Sequence, residues 1–259
     1  MSNYWLKAIG SIFSNVSKDV LFSKHRKFDF TKKWLSFGIG YENRTNLETI
    51  PFLRLYPEAR AQTVALGEVR YTQSNATPYE IYCLLCVAML KRAQSIFEIG
   101  TYDGATTYHF AKSCPESTIW TIDLAPEMVS SIQEHLVVEE ASNVQNRGVG
   151  ARYKQTPEEK QVVQLYGDST QHDYRQYHSK MDLVFIDACH EYEFVRADSE
   201  TALKLIKSDG VILWHDYEPG WPGVVRAVDE LSAKYPIKHI DKTALAVLDL
   251  SSPSSRKPL

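Results

Sequence analysis

Ser95-Ile-Phe-Glu-Ile-Gly-Thr-Tyr-Asp-Gly104 is the stretch on which the fold turns. Its first half, a short and mostly apolar run, predicts a strand over Ser95 to Ile99. Its second half is a tight turn in which Gly100 and Gly104 permit close backbone approach, ahead of a helix whose first N–H groups are free. In an open parallel sheet ligands bind beyond the carboxyl ends of the strands, where the strand order reverses. A strand that ends in such a turn therefore predicts both an α/β sheet and the place of its site.

Upstream, Thr77-Pro78-Tyr79-Glu80 offers a cap, a proline in the first turn and an acid ahead of a long apolar helix to about Arg92. The main domain is taken to begin near Asn75. Downstream, short apolar runs alternate with helical stretches: Thr118 to Ile122, Val162 to Leu165, Asp182 to Ile186 and Val211 to Trp214. Five strands separated by helices imply right-handed crossovers and a parallel sheet. The helix after the fourth strand carries Val195, Ser199, Ala202, Leu203 and Ile206 on one face and is expected to end at Asp209-Gly210. Ile237 to Ile240 and Ala244 to Leu250 read as two further strands joined at Asp241-Lys-Thr, an antiparallel edge. The expectation is a doubly wound, Rossmann-like, seven-stranded and mostly parallel sheet over residues 75–259, preceded by a helical and irregular extension over 1–74.

Composition narrows the function classes. Residues 1–33 hold seven Lys or Arg against Asp19 and Asp29, a net +5, which leaves −8 for the rest of a chain whose total is −3. So acidic a main domain is a poor partner for a nucleic-acid backbone. Trp5, Ile9, Ile12, Phe13, Val16 and Val20 form one face of an amphipathic helix ahead of Lys24-His-Arg-Lys27. That helix either docks on the domain or on a second subunit, making a homo-oligomer, or attaches peripherally to an anionic membrane. No run reaches the ~18 apolar residues of a membrane span and no cleavable leader is evident, so a cytoplasmic location is the default expectation. Cys83, Cys86, Cys114 and Cys189 are too few and scattered for a disulfide framework, and the Cys83/Cys86 pair lies inside an apolar helix, which favours packing over metal or redox chemistry.

Residues at the strand ends carry the chemistry. Asp123 closes the second strand 25 residues beyond Glu98, where a carboxylate accepts hydrogen bonds from both hydroxyls of a ribose. A dinucleotide is disfavoured, because Tyr102 stands where the pyrophosphate-binding fingerprint needs its second glycine. Gly167-Asp168-Ser169 follows the third strand and suits either an adenine edge or an ordinary helix cap. Asp187 and Asp216 lie at the tips of consecutive strands, close enough to share a hard divalent cation whose shell His215 or water completes; strand-end caps are the alternative. His190 is placed to take a proton from a substrate hydroxyl, or is a satisfied structural histidine. Residues 140–161 form a polar insertion, either substrate-facing or merely solvated.

At these residues the sequence resembles the class I S-adenosylmethionine-dependent methyltransferases, through Glu98-x-Gly100-x-x-x-Gly104, Asp123 and Gly167-Asp168-Ser169. Phe185-Ile-Asp-x-x-His-x-Tyr192, Asp209-Gly210, His215-Asp216-Tyr217 and Pro222-Gly-Val224 are similar to the metal-dependent O-methyltransferase branch that contains macrocin-type sugar methyltransferases and cephalosporin hydroxylase relatives. The resemblance covers about residues 75 to 250. It implies that Glu98, Gly100, Thr101, Tyr102 and Gly104 hold the methionine end of S-adenosylmethionine, Asp123 the ribose, and Asp168 with Ser169 the adenine. It further implies that Asp187 and Asp216, with His215, bind Mg2+ or a similar ion, and that His190 acts as base on a small-molecule acceptor. His215-Asp216 stands where many relatives have an acidic pair, so the third ligand and the metal itself stay open. Two other readings remain: a metal-independent N- or C-methyltransferase, and a non-catalytic cofactor-binding partner in a biosynthetic complex. Tyr217 and Trp221 are candidates for selecting the acceptor, although Trp221 equally suits a packing anchor.

Overall fold

The central apolar runs read from the sequence become strands because their alternate side chains feed two different cores. In the computed structural model, which describes residues 45–67, 75–125, 128 and 148–251, the elements in chain order are β1 (Thr49–Ile50), α1 (Phe52–Leu55), α2 (Pro78–Leu90), β2 (Ser95–Ile99), α3 (Ala105–Ser113), β3 (Thr118–Asp123), β4 (Val162–Tyr166), β5 (Met181–Ile186), α4 (Tyr192–Leu205), β6 (Ile206–Trp214), α5 (Pro222–Ser232), β7 (Lys238–Ile240) and β8 (Ala246–Asp249). Leu183 and Phe185 of β5 enter a core with α2 and α3 residues such as Leu84 and Phe110. Val184 and Ile186 enter the other, with Val195 and Ala202 of α4 and Val224 and Val228 of α5. β6 divides in the same way, Val211 and Leu213 to one side and Ile212 and Trp214 to the other. A strand buried on both faces has to be apolar throughout, which is why these runs do not alternate with polar residues.

The sheet has eight strands in the order β1-β7-β8-β6-β5-β2-β3-β4. β2 pairs in parallel with β3 on one side and β5 on the other, so the chain reverses its direction of winding between β2 and β5. The carboxyl ends of β2, β3, β5 and β6 therefore open onto one cleft at that switch point.

The architecture is the expected one, with three corrections. The sheet has eight strands rather than seven, because β1 comes from the segment 34–74 read as irregular and pairs in parallel with β7. The antiparallel strand is not at the edge: β8 inserts between β6 and β7, antiparallel to both. α4 stops at Leu205, where Ile206 turns extended (φ −70°, ψ 142°), and β6 starts at once instead of after Asp209-Gly210. Residues 45–67, assigned from sequence to the extension, accordingly belong with the sheet, in a compact unit that begins at Thr45.

The amphipathic helix and basic run of the first 33 residues lie outside the described residues, as does the part of the polar insertion before Gly148. Cys83 and Cys86 are buried in α2, where burial pushes the Cys83 thiol up to about 12, in keeping with packing rather than chemistry. Among the described residues no helix is long and apolar enough to cross a membrane.

Candidate cofactor and metal site

The turn after β2 exists because glycine permits it. Gly100 has φ +103°, and a Cβ there would lie 1.9 Å from the Asp187 carbonyl oxygen, so the turn can approach the end of β5 only without a side chain. Tyr102 follows in the left-handed region (φ 51°), and its N–H donates to Asp123 Oδ2 at 2.7 Å. Asp123 Oδ1 accepts the Leu124 N–H at 2.7 Å. The strand-end carboxylate is thus oriented by two backbone donors, and each of its oxygens has the capacity to accept a ligand hydroxyl as well.

Glu98 sits beneath the turn instead of in the cleft. Its side chain is 1% exposed, and Oε2 accepts from the Thr107 hydroxyl and, at 2.7 Å, from the Thr121 hydroxyl. Burial pushes this carboxyl up to about 8. The Thr101 side chain also faces inward, 2.7 Å from Thr121 Oγ1 and 3.0 Å from Gln164 Nε2. The side chains of Glu98 and Thr101 therefore fix the floor of the turn.

A second layer clamps the turn from outside. The Gly150 N–H donates to the Tyr102 carbonyl at 3.1 Å, and Arg152 Nε donates to Asp103 Oδ2 at 2.6 Å. Tyr153, 2% exposed, packs where a Cβ on Gly104 would fall and hydrogen-bonds Gln164 of β4 through its hydroxyl. The described part of the polar insertion, residues 148–161, is therefore neither simply solvated nor purely substrate-facing, since Tyr153 anchors it to the sheet. Sequence reasoning missed this, and the only signal was the pair Gly148 and Gly150 in a polar stretch.

After β4, Asp168 Oδ1 accepts both the N–H (2.8 Å) and the hydroxyl (2.7 Å) of Thr170, which shapes the Gly167-Asp168-Ser169 corner. The Ser169 carbonyl accepts the Tyr174 hydroxyl at 2.9 Å.

The ends of β5 and β6 bring the predicted ligands together. Among the described residues, Asp187, His215 and Asp216 each offer a ligand atom within 4.8 Å of the others. His215 Nδ1 lies 3.2 Å from Asp187 Oδ1 and 3.2 Å from Asp216 Oδ2, yet it is buried without hydrogen-bond geometry to either. A buried nitrogen aimed between two carboxylates fits a donor set for one divalent cation, with two carboxylate oxygens and one imidazole nitrogen. Burial opposes charge on His215, but Asp187 and Asp216 still hold its pKa well above the ordinary histidine value. Asp216 occupies the left-handed region (φ 58°), a backbone conformation that aspartate adopts more readily than most residues.

His190 stands beside this cluster. Its Nε2 is 2.8 Å from Asp216 Oδ2, and its ring stacks on Trp221 with centroids 3.9 Å apart. Gly223 makes the approach of α5 feasible, because a Cβ there would lie 2.3 Å from the His190 carbonyl oxygen. Tyr217 is fully buried and its hydroxyl binds Asp229 at 2.5 Å, which removes it from the candidates for acceptor contact. On the far side of His215, Nε2 is 3.4 Å from Glu80 Oε2. The sequence marked Glu80 as a helix cap, and nothing in it signalled the reach to a residue 135 positions away.

Residues 97–217 match a family model described as a methyltransferase domain. Among solved structures, the O-methyltransferase NovP is similar at 15% identity and TM-score 0.52, covering 66% of this chain and 78% of its own. A candidate caffeoyl-CoA O-methyltransferase from Staphylococcus aureus is similar at 16% identity and TM-score 0.50, covering 85% of this chain and 99% of its own. At such identity these likenesses speak to the fold. No curated protein matches the chain.

Proposed function

We propose, from the premise that the chain is a class I S-adenosylmethionine-dependent methyltransferase, that it methylates a hydroxyl of a small molecule with a divalent cation held by Asp187, His215 and Asp216. The observation that carries the metal part is His215 Nδ1, orphaned in the interior and 3.2 Å from each of two carboxylates. A small acceptor rather than a nucleic acid accords with the net −8 outside the first 33 residues.

When bound, S-adenosylmethionine supplies an electrophilic sulfonium methyl, and Mg2+ or a similar ion supplies Lewis acidity toward the acceptor hydroxyl. The chain's own residues position and deprotonate. Asp123, fixed by the Tyr102 and Leu124 N–H groups, is oriented to receive a ribose, and the Gly100 turn lets the cofactor lie against the backbone. Asp168 and Ser169, in the corner after β4 that the Thr170 and Tyr174 bonds shape, would meet the adenine. His190 is held by Asp216 and by stacking on Trp221, so it meets the acceptor in one orientation. His190 would take the acceptor's proton as the acceptor oxygen bonds the methyl and the methyl's C–S bond breaks to leave neutral S-adenosylhomocysteine, and the Asp216 carboxylate would stabilise the imidazolium.

Asp187→Asn is expected to abolish the response to added metal and to lower turnover at least ~100-fold. His190→Ala should leave S-adenosylhomocysteine affinity intact and lower the rate by roughly 100- to 10,000-fold. Methyl transfer to a hydroxyl acceptor that survives exhaustive chelation would contradict the metal part of this reading, and full activity in His190→Ala would remove that residue as the base.

A further inference from the structure

A buried carboxylate from the start of α2 stands behind the histidine of the cluster. Glu80 is 4% exposed, and three donors converge on its two oxygens. Oε1 accepts the Ala244 N–H at 2.6 Å, and Oε2 accepts the Thr77 N–H at 2.7 Å and faces His215 Nε2 at 3.4 Å. The same side chain therefore closes a helix cap, ties down the turn before β8 and meets the outer nitrogen of His215. The inner nitrogen of that ring, Nδ1, is the one aimed between Asp187 and Asp216.

We propose that Glu80 is a positioning residue for His215, holding the ring as its Nε2–H form so that the Nδ1 lone pair is presented to a divalent cation shared with Asp187 and Asp216. The inference rests on the metal reading given above. Its physical basis is that imidazole has one donor and one acceptor nitrogen when neutral, and a carboxylate at one nitrogen decides which is which. A carboxylate there also fixes the plane of the ring. Phe185, edge-on to His215 with centroids 6.3 Å apart, supplies packing but no such choice. A helix cap alone requires only the Thr77 contact, so the bonds to Ala244 and the reach to His215 exceed what capping asks of Glu80.

The test compares Mn2+ affinity, read from the free Mn2+ signal by electron paramagnetic resonance, in the full wild-type chain, Glu80→Gln, Thr77→Ala and Asp187→Asn. An amide at position 80 turns its NH2 toward one of three donors and favours the wrong ring form. The expected result is a loss of roughly 10- to 100-fold in Mn2+ affinity for Glu80→Gln, with Thr77→Ala within about threefold of wild type although it removes the reciprocal half of the cap, the Glu80 N–H bond to the Thr77 hydroxyl. S-adenosylhomocysteine affinity should change little in either. Wild-type Mn2+ affinity in Glu80→Gln overturns the proposal, as does an equal loss in Thr77→Ala, which would reduce Glu80 to a helix anchor. If the amide variant does not fold, Glu80→Asp keeps the charge and withdraws it by one methylene; unchanged affinity there overturns the proposal as well. A wild-type chain that binds no Mn2+, or Asp187→Asn binding it equally well, defeats the metal reading itself and this inference with it.

Discussion

Glu98 shows what a single residue type conceals at sequence level. Its place before Gly100 predicts a tight turn after β2, and the turn is there, but the side chain points into the protein toward Thr107 and Thr121. Which face of a strand-end residue meets the ligand depends on the pleat and on the turn that follows, and neither is written in the spacing. Burial pushes the Glu98 carboxyl from 4.5 up to about 8, only partly offset by those two hydroxyls. The folded chain thus keeps a proton that the unfolded chain releases between these values. The stabilisation is complete below about pH 4.5 and is lost as pH rises through 8. Glu98→Gln cannot titrate, so wild-type stability relative to this variant should fall by up to about 4 kcal/mol from pH 4.5 to 9. Chemical denaturation across that range checks it, and parallel pH profiles would show that Glu98 does not carry the proton. The candidate metal ligands were more legible than the orientation of Glu98, because Asp187, His215 and Asp216 follow immediately on strands whose apolar runs are unmistakable.

At the scale of elements, the strands at the centre of the sheet were readable because they are buried on both faces, and β2 begins and ends where its apolar run does. β1 was not readable: two residues, Thr49–Ile50, carry no periodicity and become a strand only by pairing with β7. The end of α4 was placed too late because Lys207-Ser208-Asp209 is polar and continues a helical pattern, whereas pairing with β5 draws Ile206 into the sheet. The contact between α5 and the His190 loop was visible only as Pro222-Gly223. With a Cβ 2.3 Å from the His190 carbonyl and 2.7 Å from the Tyr192 N–H nitrogen, Gly223→Ala forces apart two pieces of backbone. It should cost about 1–3 kcal/mol in stability and lower turnover at least ~10-fold through displacement of His190, while cofactor affinity stays within about threefold. Turnover and affinity falling together would place the strain elsewhere.

For the whole molecule, the sequence conveyed the strand ends where the candidate site lies but not the joining of the segment from Thr45 to the sheet. The segment beginning at Thr45 is drawn to the sheet through the Tyr217 hydroxyl, which accepts the Asn46 and Leu47 N–H groups at 3.0 Å each and donates to Asp229 at 2.5 Å. No periodicity in residues 34–74 announces a contact made across 170 positions. Tyr217→Phe leaves two N–H groups without their acceptor and should destabilise the chain by about 1–3 kcal/mol, with S-adenosylhomocysteine affinity unchanged, since Asp123 and the Gly100 turn lie at β2 and β3. Thermal unfolding with and without the ligand separates the two effects.

The proposed methyl transfer requires the cleft between β2 and β5 to hold S-adenosylmethionine. Calorimetric titration of the chain with S-adenosylhomocysteine, alongside Asp123→Ala, tests that most directly. The account predicts saturable binding at one site per chain, weakened in the variant at least ~10-fold, which corresponds to ~1.4 kcal/mol. Absence of binding in the wild-type chain, or equal binding in Asp123→Ala, would contradict it.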